Sequence, residues 1–426
     1  MGDAIPSVAY DVAPTSFPMF QMHVDPPGDL SIKGPRHDND KASIEDIQIL
    51  PTTSEIKGNR SEYLPLKSKD FPHHEKGIHR LLDTQFRLLR EDTAGQLRDA
   101  VCALVGRWEV LVKGTDKNAK RKFLRQIDAK ISIFDRVKVS QLRFDRRKGM
   151  VIDASFAQPE RVTKMKLRDR ADWWRDSRDL HHGSLVALID DTMETTFLLV
   201  ADRVAIKQKR TEQSMDEFRK QGIKDLAGDP NRALVSLTLV TPNSMLDQAR
   251  IMTLVQQTTP GTAVLVEFPG MLYTTFEPVL SCLKTLHKQP TLPFTNWLAP
   301  AAETQYTVTN GVVEVPPPLY LSRLAGLELD LSCITNDGYP LRFSVQRPVT
   351  VEQLEQHTTL DHGQCESLIM SLKHELALVQ GPPGTGKSYV GHKLVQVLLA
   401  NRDLLKIGPI ICVWFVFPLL LWVDGF

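Results

Sequence analysis

The octapeptide Gly381-Pro382-Pro383-Gly384-Thr385-Gly386-Lys387-Ser388 is the stretch that most narrows the choice of fold. It fits the spacing G-x-x-x-x-G-K-[ST] of a phosphate-binding loop. Glycine takes positive φ without penalty and has no Cβ, so the backbone can come close to an anion. Successive N–H groups then line a nest for a β-phosphate. In this pattern the Lys387 ammonium reaches the β- and γ-phosphates, and the Ser388 hydroxyl is a ligand for Mg²⁺. A helix starting here adds its positive end. Lys387 is thus the candidate catalytic residue and Ser388 the candidate metal ligand. Gly381, Gly384, Thr385, Gly386 and Tyr389 complete the loop's share of the nucleotide-binding set. The implied cofactors are ATP and Mg²⁺.

The flanks give the loop a context. Leu376-Ala377-Leu378-Val379 reads as a short buried parallel strand. Val390, Leu394, Val397 and Leu398 have the spacing of one helix face. Upstream, Leu360-Asp361-His362-Gly363-Gln364 precedes a helix expected from Gln364 to His374. A Gln amide donates and accepts at once, which suits the N6/N7 edge of adenine. Taken alone, Gln364 reads first as an ordinary residue of a helix N-terminus, and its place 17 positions before the phosphate loop is what gives the adenine reading weight.

Asp361-x-x-Gln364, a helix, Val379-Gln380 and then the phosphate loop together resemble superfamily-one RNA helicases of the up-frameshift-like group. Leu88-Leu89-Arg90-Glu91-Asp92, His182-Gly183-Ser184-Leu185-Val186 and Gln364-Cys365-Glu366-Ser367 resemble the branch with NF-X-type zinc fingers. The resemblance runs over residues 70–413. It implies a two-lobed RecA-like motor that moves on RNA by hydrolysing ATP. It also implies a place in RNA silencing, beside RNA-directed RNA polymerase complexes, in the nucleus or cytoplasm. By resemblance Gln364 reads adenine, Gly384, Gly386 and Lys387 hold phosphates, and Ser388 holds Mg²⁺.

The sequence then departs from that family. Ile410-Ile411-Cys412-Val413 reads as a second core strand, but Trp414–Val423 offers no hydroxyl, amide or charge to a phosphate backbone. No adjacent Asp-Glu pair follows the loop, and no second lobe supplies the arginine on which phosphoryl transfer relies for a factor of about 10³–10⁵. The expectation is the front portion of a helicase, truncated after the phosphate loop and inactive as a motor. The alternative is an RNA-binding or partner-docking fragment without ATPase activity. A small-molecule kinase is disfavoured, because its catalytic residues would have to follow the loop. Ile407–Val423 is apolar and 17 residues long, at the lower limit for a membrane span. A buried strand with an unrelated extension is the expectation there, not a membrane anchor.

Composition is that of an ordinary soluble protein, at 42% hydrophobic and 24% charged residues. A net charge of +1 leaves RNA binding to local basic stretches. The five cysteines contain no C-x-x-C pair, so they suggest a reducing compartment and no zinc site. The N-terminus lacks a signal-peptide layout, consistent with an intracellular protein.

The expected fold class is α/β and multidomain. It has a disordered N-terminus (1–70), a helical brace (71–130), a small β-barrel (131–240), an α/β segment leading into the motor (241–345) and an incomplete RecA-like P-loop lobe (346–426). Ile78, Leu82, Phe86 and Leu89, then Leu97, Val101, Leu104 and Trp108, predict two amphipathic helices separated by capping residues Glu91-Asp92-Thr93. Strands are expected at 131–134, 137–144, 150–156, 184–189, 195–200, 233–240, 263–268 and 341–345, and a short helix at 278–286. The candidate RNA contacts lie in the basic region 117–170. They are Lys117, Lys120, Arg121, Lys122 and Arg125, then Arg143, Arg146, Arg147 and Lys148, then Arg161, Lys164, Lys166, Arg168 and Arg170. Trp173 and Trp174 follow as possible stacking platforms, against the alternative of a packed pair under a solvated surface. His37-Asp38-Asn39-Asp40 and His73-His74 read as solvated polar residues, and His181-His182 beside Asp179 as a turn.

Overall fold

A computed structural model describes residues 25–66, 71–114, 117–126, 130–202, 225–256, 263–292, 294–300, 308–309, 312–322 and 326–405. The chain divides into two compact units, which meet in sequence at Ala301 and Ala302.

In the first unit, helices α1 (Gly77–Arg90) and α2 (Gln96–Val105) are joined by a five-residue π-helical turn, Glu91–Gly95. The expected break at Glu91-Asp92-Thr93 is therefore a correction: the backbone stays helical through Glu91 and Gln96. The Thr93 hydroxyl donates back to the Leu89 carbonyl at 2.7 Å, so it serves the helix and does not cap a new one. The wide turn resets the phase between the Leu82–Phe86 face and the Leu97–Val101–Leu104 face, and all five residues are buried. Helix α3 spans Lys117–Gln126.

Seven strands follow: β1 (Ser132–Phe134), β2 (Lys138–Asp145), β3 (Gly149–Ala157), β4 (Leu185–Ile189), β5 (Thr195–Asp202), β6 (Arg232–Leu239) and β7 (Val264–Glu267). Helix α4 (Leu167–Asp176) lies between β3 and β4 in sequence. Helix α5 (Met245–Gln256) precedes β7, and α6 (Tyr273–Lys288) follows it. Both expected hairpin turns form. The Asp145 carboxylate accepts from the N–H groups of Arg147 and Lys148, and the Asp190 carboxylate from those of Thr192 and Glu194.

The strands make one antiparallel sheet in the order β1-β7-β4-β5-β6-β3-β2. This corrects the small barrel: among the described strands β1 and β2 are opposite edges and do not pair, so the sheet is open. The physical reason is that both faces are covered. Val186 and Leu188 of β4 join one core with Phe156, Trp174 and Ile251, whereas Leu185, Ala187 and Ile189 join another with Phe86, Leu97 and Leu280. A small barrel would bury only one of these faces.

Residues 25–66 overturn the disorder expected there, while 1–24 lie outside the described residues. Asn39, Asp40, Ile44, Glu55 and Ile56 are buried. The Arg90 guanidinium donates to both Glu55 carboxylate oxygens at 2.7 and 3.0 Å, and the Asn39 amide donates to Glu55 at 2.9 Å. His37, Asn39 and Asp40 are thus interior groups and not solvated ones.

The second unit has two short strand pairs: β8 (Val308–Thr309) with β9 (Val312–Val313), and β10 (Leu329–Asp330) with β11 (Arg342–Phe343). Helices α7 (Val351–His357), α8 (His362–Lys373) and α9 (Lys387–Ala400) close its core, which includes Leu329, Phe343, Leu354, Leu368 and Val397. The RecA-like lobe is also a correction. Residues 376–379 form no strand, and Leu378 is 89% exposed. A parallel strand needs neighbours to take its hydrogen bonds, and no described strand lies beside this segment. The expected strand 410–413 and the apolar tail lie outside the described residues. Among the described residues no helix is long and apolar enough to cross a membrane.

Candidate nucleotide-binding loop

Helix α9 begins at Lys387, with Gly386 as its N-cap at φ +78° and Gly384 two residues earlier at φ +87°. These left-handed values cost an L-residue about 1–2 kcal/mol, which accounts for glycine at both positions. Two loop glycines also hold the backbone in close quarters. A Cβ on Gly386 would lie 2.5 Å from the Gln364 amide nitrogen, and one on Gly381 would lie 2.8 Å from Thr385 Oγ1. The expected helix face is in place, with Val390 and Val397 buried and Leu394 and Leu398 packed against the same core.

The Lys387 ammonium lies back across the loop and donates to the carbonyls of Gly381 at 2.6 Å and Pro382 at 2.7 Å. The Thr385 hydroxyl donates to the Pro382 carbonyl at 2.9 Å. Ser388 is exposed in the first turn of α9. Tyr389 donates to or accepts from the Thr359 hydroxyl at 2.6 Å, and the Lys393 ammonium lies 5.3 Å from its ring centroid. The Thr359 bond holds the Tyr389 phenol below its ordinary range. Sequence reading missed both neighbours of Tyr389. Lys393 had a signal in its i+4 spacing, whereas Thr359 had none.

Gln364 takes the helix-terminus role weighed for it. Asp361 caps α8 and accepts from the Gln364 N–H at 2.9 Å, while Gln364 Oε1 accepts from the Asp361 N–H at 3.2 Å, a complete capping box. The other end of the same amide donates to the Thr385 carbonyl at 3.3 Å. Helix α8 therefore ties the glycine-rich loop to its own N-terminus through one side chain.

This loop fits a triphosphate by its chemistry. It has an ammonium, a helix N-terminus, glycines where side chains would intrude, and a hydroxyl oxygen for a hard cation. Mg²⁺ keeps several waters and phosphate oxygens among its ligands, and the loop offers it the Ser388 hydroxyl oxygen.

The basic region does not come together as one site. Arg143 is paired with both oxygens of Asp153 at 2.7 Å. Arg170 is buried and donates to the Ala227 carbonyl at 2.6 Å. Trp174 is fully buried and its indole N–H donates to Gln158 at 3.0 Å, so it offers no face to a base. Trp173 packs on the same core with Arg161 over its ring. Lys122 and Arg125 are exposed on α3, and the side chains of Lys117, Lys120 and Arg121 lie outside the described residues. Arg146, Arg147 and Lys148 are exposed at one end of β3, and Arg161, Lys164, Lys166 and Arg168 follow its other end. A strand of that length separates the two groups by about 27 Å. His181 and His182 bond the carbonyls of Ser177 and Ala201, as a turn requires.

Comparison with known proteins bears on the lineage. No family model matches the chain. It is 26% identical over 390 residues to the NFX1-type zinc finger-containing protein 1 of Homo sapiens, covering 88% of this chain and 17% of that protein. A 57-residue stretch is 44% identical to the Caenorhabditis elegans homolog of that protein, which is 13% of this chain and 2% of the relative. The Schizosaccharomyces pombe protein named helicase required for RNAi-mediated heterochromatin assembly 1 is 21% identical over 368 residues, 85% of this chain and 29% of its own length. The chain is a homologue of the NFX1-type helicase-like proteins. It spans less than a fifth of the length of the mammalian relatives it matches.

Proposed function

We propose that the Gly381–Ser388 loop binds ATP with Mg²⁺, as the nucleotide site of an ATP-dependent RNA helicase. The observation that carries this reading is the pair of left-handed glycines leading into α9 beside the Lys387 ammonium. On binding, Lys387 exchanges the two loop carbonyls for β- and γ-phosphate oxygens, a change from neutral to charge-assisted hydrogen bonds. Ser388 supplies an oxygen to Mg²⁺. Gln364 releases Thr385 and turns its amide to the adenine edge. The name of the fission yeast relative supports an RNA role, and RNA silencing in particular. A silencing complex with an RNA-directed RNA polymerase, in the nucleus or cytoplasm, extends the proposal by resemblance.

Titration of the full chain with a fluorescent ATP analogue tests the site. Mg²⁺-dependent binding is expected, weakened at least tenfold by Lys387→Ala. Equal affinity in the two proteins would remove the reading. The second reading is an RNA-binding or partner-docking module without ATPase activity. It draws on residues 376–379, which form no strand with any described segment. RNA-stimulated phosphate release that Lys387→Ala abolishes would decide against it.

A further inference from the structure

Glu75 and His79 lie four residues apart at the start of α1, and His287 lies in the last turn of α6. One ligand atom from each of the three lies within 4.8 Å of the other two. Glu75 Oε2 is 2.9 Å from His287 Nε2 and 3.9 Å from His79 Nδ1. On its other side His287 Nδ1 lies 3.2 Å from Glu45 Oε1. His287 is buried, and the two imidazoles meet edge to face with centroids 5.1 Å apart.

A neutral imidazole has one N–H and one lone pair. It cannot donate to Glu45 and Glu75 together. Either His287 carries a second proton, or one nitrogen turns its lone pair to a cation held beside Glu75. The approach of His79 to the same Glu75 oxygen favours the cation, because a protonated His287 needs no second imidazole. We propose that Glu75, His79 and His287 bind one Zn²⁺, with Glu45 orienting His287 from behind.

The donor set narrows the metal to a transition ion, of which zinc needs no redox partner. Two imidazoles and a carboxylate suit zinc, whereas Ca²⁺ and Mg²⁺ take oxygen ligands. Tetrahedral Zn–N and Zn–O bonds of 2.0–2.1 Å place ligand atoms about 3.3 Å apart. The observed 2.9 and 3.9 Å bracket that spacing. Glu45 on His287 Nδ1 forms the carboxylate–histidine–metal arrangement that fixes the tautomer and aims Nε2. The carboxylates of Glu45 and Glu75 offset the divalent charge. Three protein ligands leave the fourth position to water. The cation fastens three separate pieces: the turn Ile44–Asp46, the entry to α1 and the end of α6. No cysteine takes part, so cysteine spacing gives no hint of this site.

The test uses the full chain, stripped with a chelator and titrated with ZnCl₂ against a chromophoric competitor. One tight site is expected, with a rise in melting temperature on adding zinc. His287 is buried and its removal can unfold the protein, so the partly exposed residues carry the test. His79→Ala and Glu75→Gln are expected to lower zinc affinity at least tenfold, and Glu45→Gln by about 10–100-fold. His362→Ala, an exposed histidine of the second unit, is expected to leave it unchanged. X-ray absorption is expected to show nitrogen and oxygen donors. Undiminished affinity in both His79→Ala and Glu75→Gln, or sulfur donors, overturns the proposal. So does a melting temperature that ignores zinc.

Discussion

Gly386 shows how a single residue sets the loop. Alanine there meets both the left-handed φ and the Gln364 amide nitrogen. Gly386→Ala is expected to destabilise the second unit by about 1–2 kcal/mol in urea melts, and to weaken nucleotide binding more than stability. Glu55 is the corresponding residue of the first unit. Burial raises its pKa, but the Arg90 charge and hydrogen bonds outweigh that and hold it below the ordinary carboxylate range. Its contribution is therefore present above about pH 4.5 and lost as pH falls through the folded value. Glu55→Ala leaves Arg90 buried with the Gln48 and Ile49 carbonyls but without its bonded carboxylate, at a cost of about 3–5 kcal/mol by chemical denaturation. His37 has the opposite sign. Burial lowers its pKa, yet the hydrogen bond and charge of Glu62 raise it above 6.5 overall. That stabilisation is complete below about pH 6.5 and fades as pH rises through the folded value. Hydrogen exchange corrected for intrinsic rates is expected to show residues 37–62 less protected at pH 8 than at pH 6, and His37→Gln to remove the difference. The loop glycines were legible in sequence because their pattern is local. The partners of His37 and Glu55 were not, since Glu62 and Arg90 lie 25 and 35 residues away.

At the scale of elements, periodicity carried the helices and turn residues carried the hairpins. Leu82, Phe86, Leu97 and Val101 are buried as their spacing predicts. The helix expected at 278–286 is longer, Tyr273–Lys288, because a proline reads as a boundary although Pro278 sits inside. The strand expected at 341–345 shortens to Arg342–Phe343. Residues 376–379 are apolar enough for a strand but have no neighbour to pair with among the described residues. Helix α4 shows why sequence alone could not settle the tryptophan pair. Both readings require exposed cations nearby, and only packing distinguishes a base platform from a core residue. Trp174→Phe is expected to keep the fold and leave affinity for single-stranded RNA unchanged, whereas Trp174→Ala costs about 3–5 kcal/mol. A fluorescence titration with oligonucleotide of both variants and the parent checks this.

At the scale of the molecule, a ligand for the loop acts on one unit's stability. Mg²⁺-ATP at a hundred times its dissociation constant is expected to stabilise the second unit by about 2.7 kcal/mol. Hydrogen exchange should then slow across α8 and α9, and Lys387→Ala should abolish the effect. Fold class was legible as mixed helix and sheet, but the order of the sheet was not. A barrel and an open sheet use the same short strands and the same turns, and they differ in which distant strands meet. Strand β7 inserts between β1 and β4, so Ser132 pairs with Glu267. During synthesis at about 5–20 residues per second, β1 therefore waits some 7–27 s for its only neighbour among the described strands to leave the ribosome. Through that interval its backbone stays open to any passing strand, and a chaperone that shields the nascent chain would matter most there.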